Sequence, residues 1–243
     1  MCWCQYMETC VCQRILISIN IIMEIPNNMN NQPKPEIKPE KKPNEQGSIG
    51  VQGHIKIFDP QTKEVFIDKR NAIHYENFSL ALARSLSNQG FGMIAEMAFG
   101  NGGTRVDETG IITYLTPNTV GTNASLYNQT YYKVVDARQA SSIDPARNFM
   151  EVRHVLGTPY SDILVSCLLD FGEPSGQAAF DNATNSDDTF VFDELGLKAY
   201  SPDGEGLGDL LTHVIFHPVQ KSLNRMIQID YTVRIQSLDG RYL

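Results

Sequence analysis

Four cysteines crowd the first dozen residues, Cys2, Cys4, Cys10 and Cys12. Thiolates so close together are ligands for a soft metal, but two C-x-C pairs match none of the spacings that build a tetrahedral zinc site. Cys167 lies alone in the apolar run Ile163–Leu169 and reads as a small buried hydrophobe. His213 and His217 are four apart, which on a helix would aim both at one metal. The run Thr212–Pro218 reads instead as a strand and holds no H-E-x-x-H arrangement, so a partly exposed sheet face is expected. Asp181 to Asp188 is rich in oxygen ligands and could attract calcium. An EF-hand order fails at Ala183, Ser186 and Phe192, which leaves a polar loop.

The glycine-rich Phe99-Gly100-Asn101-Gly102-Gly103-Thr104-Arg105 lacks the Gly-Lys-Ser/Thr ending of a phosphate loop, and no helical pattern follows it. Gly100, Gly102 and Gly103 are therefore assigned to a tight turn between strands, and Gly196 to a second structural turn. No G-x-S-x-G elbow occurs, and no cysteine sits in a reactive setting. Asp193-Glu194 supplies adjacent carboxylates. Beside Gly196-Leu197, Glu194 either joins its loop to backbone donors while Leu197 packs inward, or is an ordinary exposed carboxylate. The Asn-x-Ser/Thr triplets at Asn77, Asn123, Asn128 and Asn182 matter only in a eukaryotic secretory context. The expectation is a protein without catalytic residues, cofactor or metal.

These residues need a scaffold, and the composition allows one. Hydrophobic residues make up 42% and charged residues 20% of 243 residues, enough to bury a sizeable core. A formal net charge of -8 gives no electrostatic footprint for nucleic acid or an anionic membrane surface. Ile15–Ile22 is apolar but far short of the about 20 residues a membrane helix needs. Residues 1–22 read as an upstream extension, with Met23 as the expected start. Residues 23–48 carry alternating proline, lysine and glutamate, which cannot bury a core and prefer a solvated, disordered arm. Residues 49–243 form the expected single β-rich domain.

Within it, Val51–Phe58 alternates apolar and polar residues, a turn follows at Asp59-Pro60-Gln61-Thr62, and Glu64–Asp68 returns as a second strand. Asn77 is expected to cap the one substantial helix, whose apolar face would be Phe78, Leu82 and Leu86, with Gly90 beyond its end. Further strands are expected at 91–99, 111–115, 129–135, 149–156, 163–171, 190–200, 211–216 and 226–235. In the last, Ile227, Ile229, Tyr231, Val233 and Ile235 share one face. Many short strands divided by turn residues predict a mainly β chain, a β-sandwich or jelly-roll-like double sheet.

Three phrases in order resemble the structural proteins of tailed-bacteriophage particles, of the tail, baseplate and tail-fibre-associated type. They are Ile94–Thr104 ending in Phe-Gly-Asn-Gly-Gly-Thr, then Phe192-Asp193-Glu194-Leu195-Gly196-Leu197-Lys198, then Val214–Lys221 before an alternating strand. The segment 116–136 is longer than that pattern leads one to expect. The resemblance implies a virion subunit of the tail, baseplate or neck, working through contacts with other virion proteins in a symmetric assembly. Two rivals are a capsid decoration or cement protein, which would also be a compact β-domain with an N-terminal arm, and, from another class, a carbohydrate-binding module. Tyr114, Tyr127, Tyr131 and Tyr132, with Tyr160, would serve as interface residues in the first two readings and as sugar-stacking rings in the third.

Overall fold

A computed structural model describes residues 47–121, 123–177 and 189–238. The N-terminal cysteines, the extension, almost all of the Pro/Lys/Glu arm and the Asp181–Asp188 loop lie outside the described residues. The chain is mainly β. Strands β1 (Ser48–Phe58) and β2 (Val65–Ile73) precede a helix, α1 (Tyr75–Leu86). Then follow β3 (Ile94–Gly100), β4 (Thr104–Val106), β5 (Ile112–Tyr114), β6 (Gln129–Val134) and β7 (Phe149–His154). The chain continues with β8 (Tyr160–Leu169), β9 (Thr189–Ala199), β10 (Thr212–Ser222) and β11 (Ile227–Leu238). Nine strands form one antiparallel sheet in the order β6-β3-β9-β10-β2-β1-β11-β8-β7, and β4 and β5 form a separate hairpin.

Pairing along the sheet is uneven. β10 and β2 share only the pairs Thr212↔Ile73 and His213↔Ala72, whereas β1 and β11 run in register from Ser48↔Leu238 to Phe58↔Gln228. Twisted strands and that short junction let the two halves curl face to face, giving a β-sandwich-like core. From one half come Phe99, Phe190, Phe192 and Phe216, with Phe192 edge-on to both Phe99 and Phe216. The other half contributes Ile55, Ile57, Val165 and the predicted face Ile227, Ile229, Tyr231 and Val233, all fully buried. The ends of the curl meet. Lys133 on β6 donates from Nζ to the Leu168 carbonyl on β8 at 2.6 Å and pairs with Glu173 just beyond.

β3 shows no alternation because both its faces are covered. Met97 and Phe99 enter the main core, while Ala98 packs with Leu126 and Leu210 on the other side. There Glu96 accepts the Gly206 N–H with both oxygens.

The helix departs from expectation at both ends. Its N-cap is His74, whose Nδ1 accepts the Asn77 N–H at 3.2 Å. An imidazole lone pair does there what the sequence assigned to an Asn: the helix begins at Tyr75, so Asn77 lies within its first turn, where its Nδ2 donates to the Leu210 carbonyl at 2.9 Å. Phe78 and Ala81 form the buried face, whereas Leu86, expected on it, is exposed.

Candidate functional site

A buried polar cluster is built on β9 and β10. A register shift between Ile215 and Val219 of β10 leaves Asp193 out of the ladder, between Phe192 and Glu194. Pro218, which has no N–H to donate, sits within that bulge. Alternation would send Asp193 and Glu194 to opposite faces. With the ladder interrupted, both carboxylates reach the excursion between β3 and β6.

Glu194 has no exposed surface. Its Oε1 accepts the N–H groups of Asn128 at 2.8 Å and Gly102 at 3.2 Å, and its Oε2 accepts Tyr127 N–H at 3.0 Å. The fourth donor is His213 Nε2, 2.9 Å from Oε2. His213 is itself buried, and its Nδ1 accepts the Asn118 N–H at 2.8 Å. That bond assigns the tautomer: a ring whose Nδ1 accepts carries its proton on Nε2 and donates it to Glu194. Four donors occupy the four lone-pair sites of the carboxylate, so no lone pair of Glu194 is free for a substrate or a metal. Asp193 completes the clamp, accepting Gly103 N–H at 2.9 Å and both the N–H and the hydroxyl of Thr104.

The two acids are tuned in opposite directions. Burial pushes Asp193 above its ordinary value, against the pull of Thr104 and Gly103. Burial acts the same way on Glu194, but His213 and the backbone donors outweigh it and hold that carboxyl below its ordinary value. A group with a depressed folded pKa stabilises the fold above its unfolded pKa and loses that contribution as pH falls through the folded value. Glu194 is therefore expected to contribute a loss of stability below about pH 4.5. Thermal melts from neutral to acid pH check this: the acid-induced drop in Tm should be smaller in Glu194→Gln than in the parent chain.

The predicted turn glycines serve this clamp, and their role is close approach. None of Gly100, Gly102, Gly103 or Gly196 takes a left-handed backbone conformation. A Cβ on Gly100 would lie 2.4 Å from the Asn128 carbonyl and 2.5 Å from Glu194 Oε1. Gly196 is not in a turn at all but within β9, where a Cβ would meet the Thr212 carbonyl at 2.2 Å.

Around the clamp the predicted tyrosines separate. Tyr127 lies half-exposed beside the His213 ring, with its hydroxyl donating to the Thr116 carbonyl at 2.7 Å. Tyr114 stands exposed on the β4–β5 hairpin, its hydroxyl 3.3 Å from His217 Nδ1. Tyr131 is only 6% exposed and packs on Phe99 and Phe190, which takes it out of any interface or sugar-stacking surface. The strand's alternation puts that residue inward. Tyr132 and Tyr160 lie elsewhere, Tyr132 on the β6 edge and Tyr160 under the Arg234 guanidinium.

His213 corrects a further expectation: it is buried where a partly exposed face was anticipated. His217 is exposed, as the bulge between them separates their environments. Cys167 is fully buried, and burial pushes its thiol up to about 12. No group of three or more candidate metal ligands occurs among the described residues. Sequence reasoning missed the parts played by Asp193, His213 and Asn118. The signal was present for the first two, since polar residues inside apolar strands need internal partners.

The clamp fixes a surface as well. Val106, Ile111, Tyr114 and Val120 are exposed apolar residues on the segment that it holds. Comparison with protein-family models, curated proteins and solved structures finds no match to this chain.

Proposed function

We propose that this chain is a structural subunit working through protein–protein contacts in a symmetric assembly, and that the assembly is a tailed-phage virion, at the tail, baseplate or neck. The observation that carries the first part is the clamp. Two buried carboxylates and a histidine are committed to immobilising one long excursion, whose outer side then offers Val106, Ile111, Tyr114 and Val120 to solvent. A rigid loop with exposed apolar and aromatic groups suits recognition, because little conformational entropy is lost when it docks. The order of the three sequence phrases supports the second part.

Mass spectrometry and cryo-electron microscopy of particles purified from a lysate of the source strain test the reading. It expects the chain as a stoichiometric component, with density at the tail, baseplate or neck. Absence from particles overturns the virion assignment, and density spread over the capsid surface replaces it with decoration. A double variant, Ile111→Ser with Tyr114→Ser, separates docking from folding. Exposed side chains alter stability by only about 0.5 kcal/mol. The variant is therefore expected to keep the parent Tm while losing incorporation into particles.

A further inference from the structure

The two edges of the nine-stranded sheet are treated differently. On β6, the outer edge is covered at Tyr132: the Gln177 side chain accepts the Tyr132 N–H at 2.9 Å and donates to the Tyr132 carbonyl at 3.2 Å. A side-chain amide there imitates a neighbouring strand. Such covering is how a fold protects an edge that would otherwise pair with another chain. On β7, at the other end of the order, no described residue does the same. Glu151 to His154 are all exposed, and Val152 is 71% so.

The sequence of β7 is complementary to itself. In an antiparallel pairing about a two-fold axis through Val152, Val152 meets its own copy, and Glu151 of each chain lies opposite Arg153 of the other. Within one chain Glu151 and Arg153 already share a face, with Arg153 Nη2 3.0 Å from Glu151 Oε2. Pairing would close these two ion pairs into a square of alternating charge. Any register displaced by two residues loses this match, since it sets Arg153 or Glu151 against its own kind.

The apolar groove beside the edge points the same way. A cavity of about 460 Å³ opens between α1 and the sheet, with Met150 and Val152 of β7 among its walls together with Phe78, Leu82, Ile163 and Ile235. A second β7 would continue that wall with its own Val152 and Met150.

We infer that β7 is a self-association edge, through which two copies of this chain join antiparallel about Val152 and extend one sheet into the next. The inference rests on the reading of the chain as an assembly subunit and supplies its first partner, a second copy.

Light scattering of the full chain during size exclusion, read with three sets of variants, tests it. The parent is expected to be dimeric. Glu151→Arg places arginine opposite arginine twice per dimer and should raise the dissociation constant on the order of tenfold or more. The swap Glu151→Arg with Arg153→Glu restores complementarity and should restore the dimer. In a chain whose Cys2, Cys4, Cys10 and Cys12 are serine, Val152→Cys should form a dimer-linking disulfide on mild oxidation. Directly opposed residues lie within disulfide reach. Val120→Cys, exposed on another element, should form none. A parent that stays monomeric at every concentration overturns the inference, as does a dimer indifferent to both charge variants or unlinked at residue 152. Particle composition, measured separately, decides whether the chain is a virion subunit, so the two readings fail independently.

Discussion

Glu194→Ala is expected to destabilise the fold by about 4 kcal/mol, near the top of the range for a single substitution, because it strands four buried donors at once. The N–H groups of Gly102, Tyr127 and Asn128 and the Nε2–H of His213 all lose their acceptor, and each unsatisfied buried donor costs about 1–3 kcal/mol before relaxation. Glu194→Gln does not rescue the site. A carboxamide oxygen accepts two of the four bonds, and its NH₂ group faces donors on the other side. His213 cannot adapt by moving its proton, since Nδ1 is held by the Asn118 N–H. About half of the alanine loss is expected for glutamine, on the same count of stranded donors. Urea unfolding measures both. Limited proteolysis gives the local reading: new cleavage between Arg105 and Gly121 should appear before global unfolding. A loss below about 1 kcal/mol for alanine would mean that water or a rearranged loop satisfies these donors, and the clamp would not be what holds the platform.

How much of this was legible in the sequence depended on whether the cause was local. β11 reads directly, because Ile227, Ile229, Tyr231 and Val233 alternate with polar residues and the sheet face they occupy is set by the period of the strand itself. β1 and its turn read equally well, since the Asp59 side chain closes the turn on the Gln61 and Thr62 N–H groups. β3 reads as an unbroken buried strand, and Glu96 within it hides the fact that an outer layer covers it. The general preference for Asn at a cap puts the helix start too late: His74 takes the cap through its ring nitrogen, and Asn77 lies within the first turn. Glu194 was open between two readings, and only the position of residues 66 to 92 places away in the chain decides between them. His213 illustrates the limit. Nothing within ten residues of it foretells that Asn118 will donate to its Nδ1, and without that bond neither its tautomer nor its role is defined. Long-range partners of buried polar groups are properties of the closed sheet.

That closure is itself testable at Lys133. Lys133→Met keeps the apolar stem and removes the ammonium that joins β6 to the Leu168 carbonyl and to Glu173. The expected loss is about 3 kcal/mol, the lower part of the range for breaking a buried pair, since Glu173 retains some exposure and the Asp170 N–H at 2.8 Å. The size of a second substitution's effect distinguishes lost pairing from lost packing. In the parent, Glu173→Gln should destabilise, because the ammonium loses its counter-charge. In Lys133→Met it should cost less, because one of the two ammonium groups beside Glu173 is already gone and only that of buried Lys221, which donates to the Glu173 carbonyl at 2.6 Å, is left to feel the lost charge. A coupling energy of about 1–3 kcal/mol is expected from the double-mutant cycle. Cys167 offers a second readout at the same seam. It neighbours Leu168 on β8, has no exposed surface and is pushed up to about 12, so thiol reagents should barely reach it in the parent. Loss of the Lys133 charge by itself raises the thiol further and slows its reaction, so faster peptide-resolved labelling of Cys167 in Lys133→Met, the expected result, reports opening of the seam. If Cys167 remains protected and the cycle shows no coupling, apolar burial alone keeps the two ends of the curled sheet together, and the ion pair only lies across a seam that is closed without it.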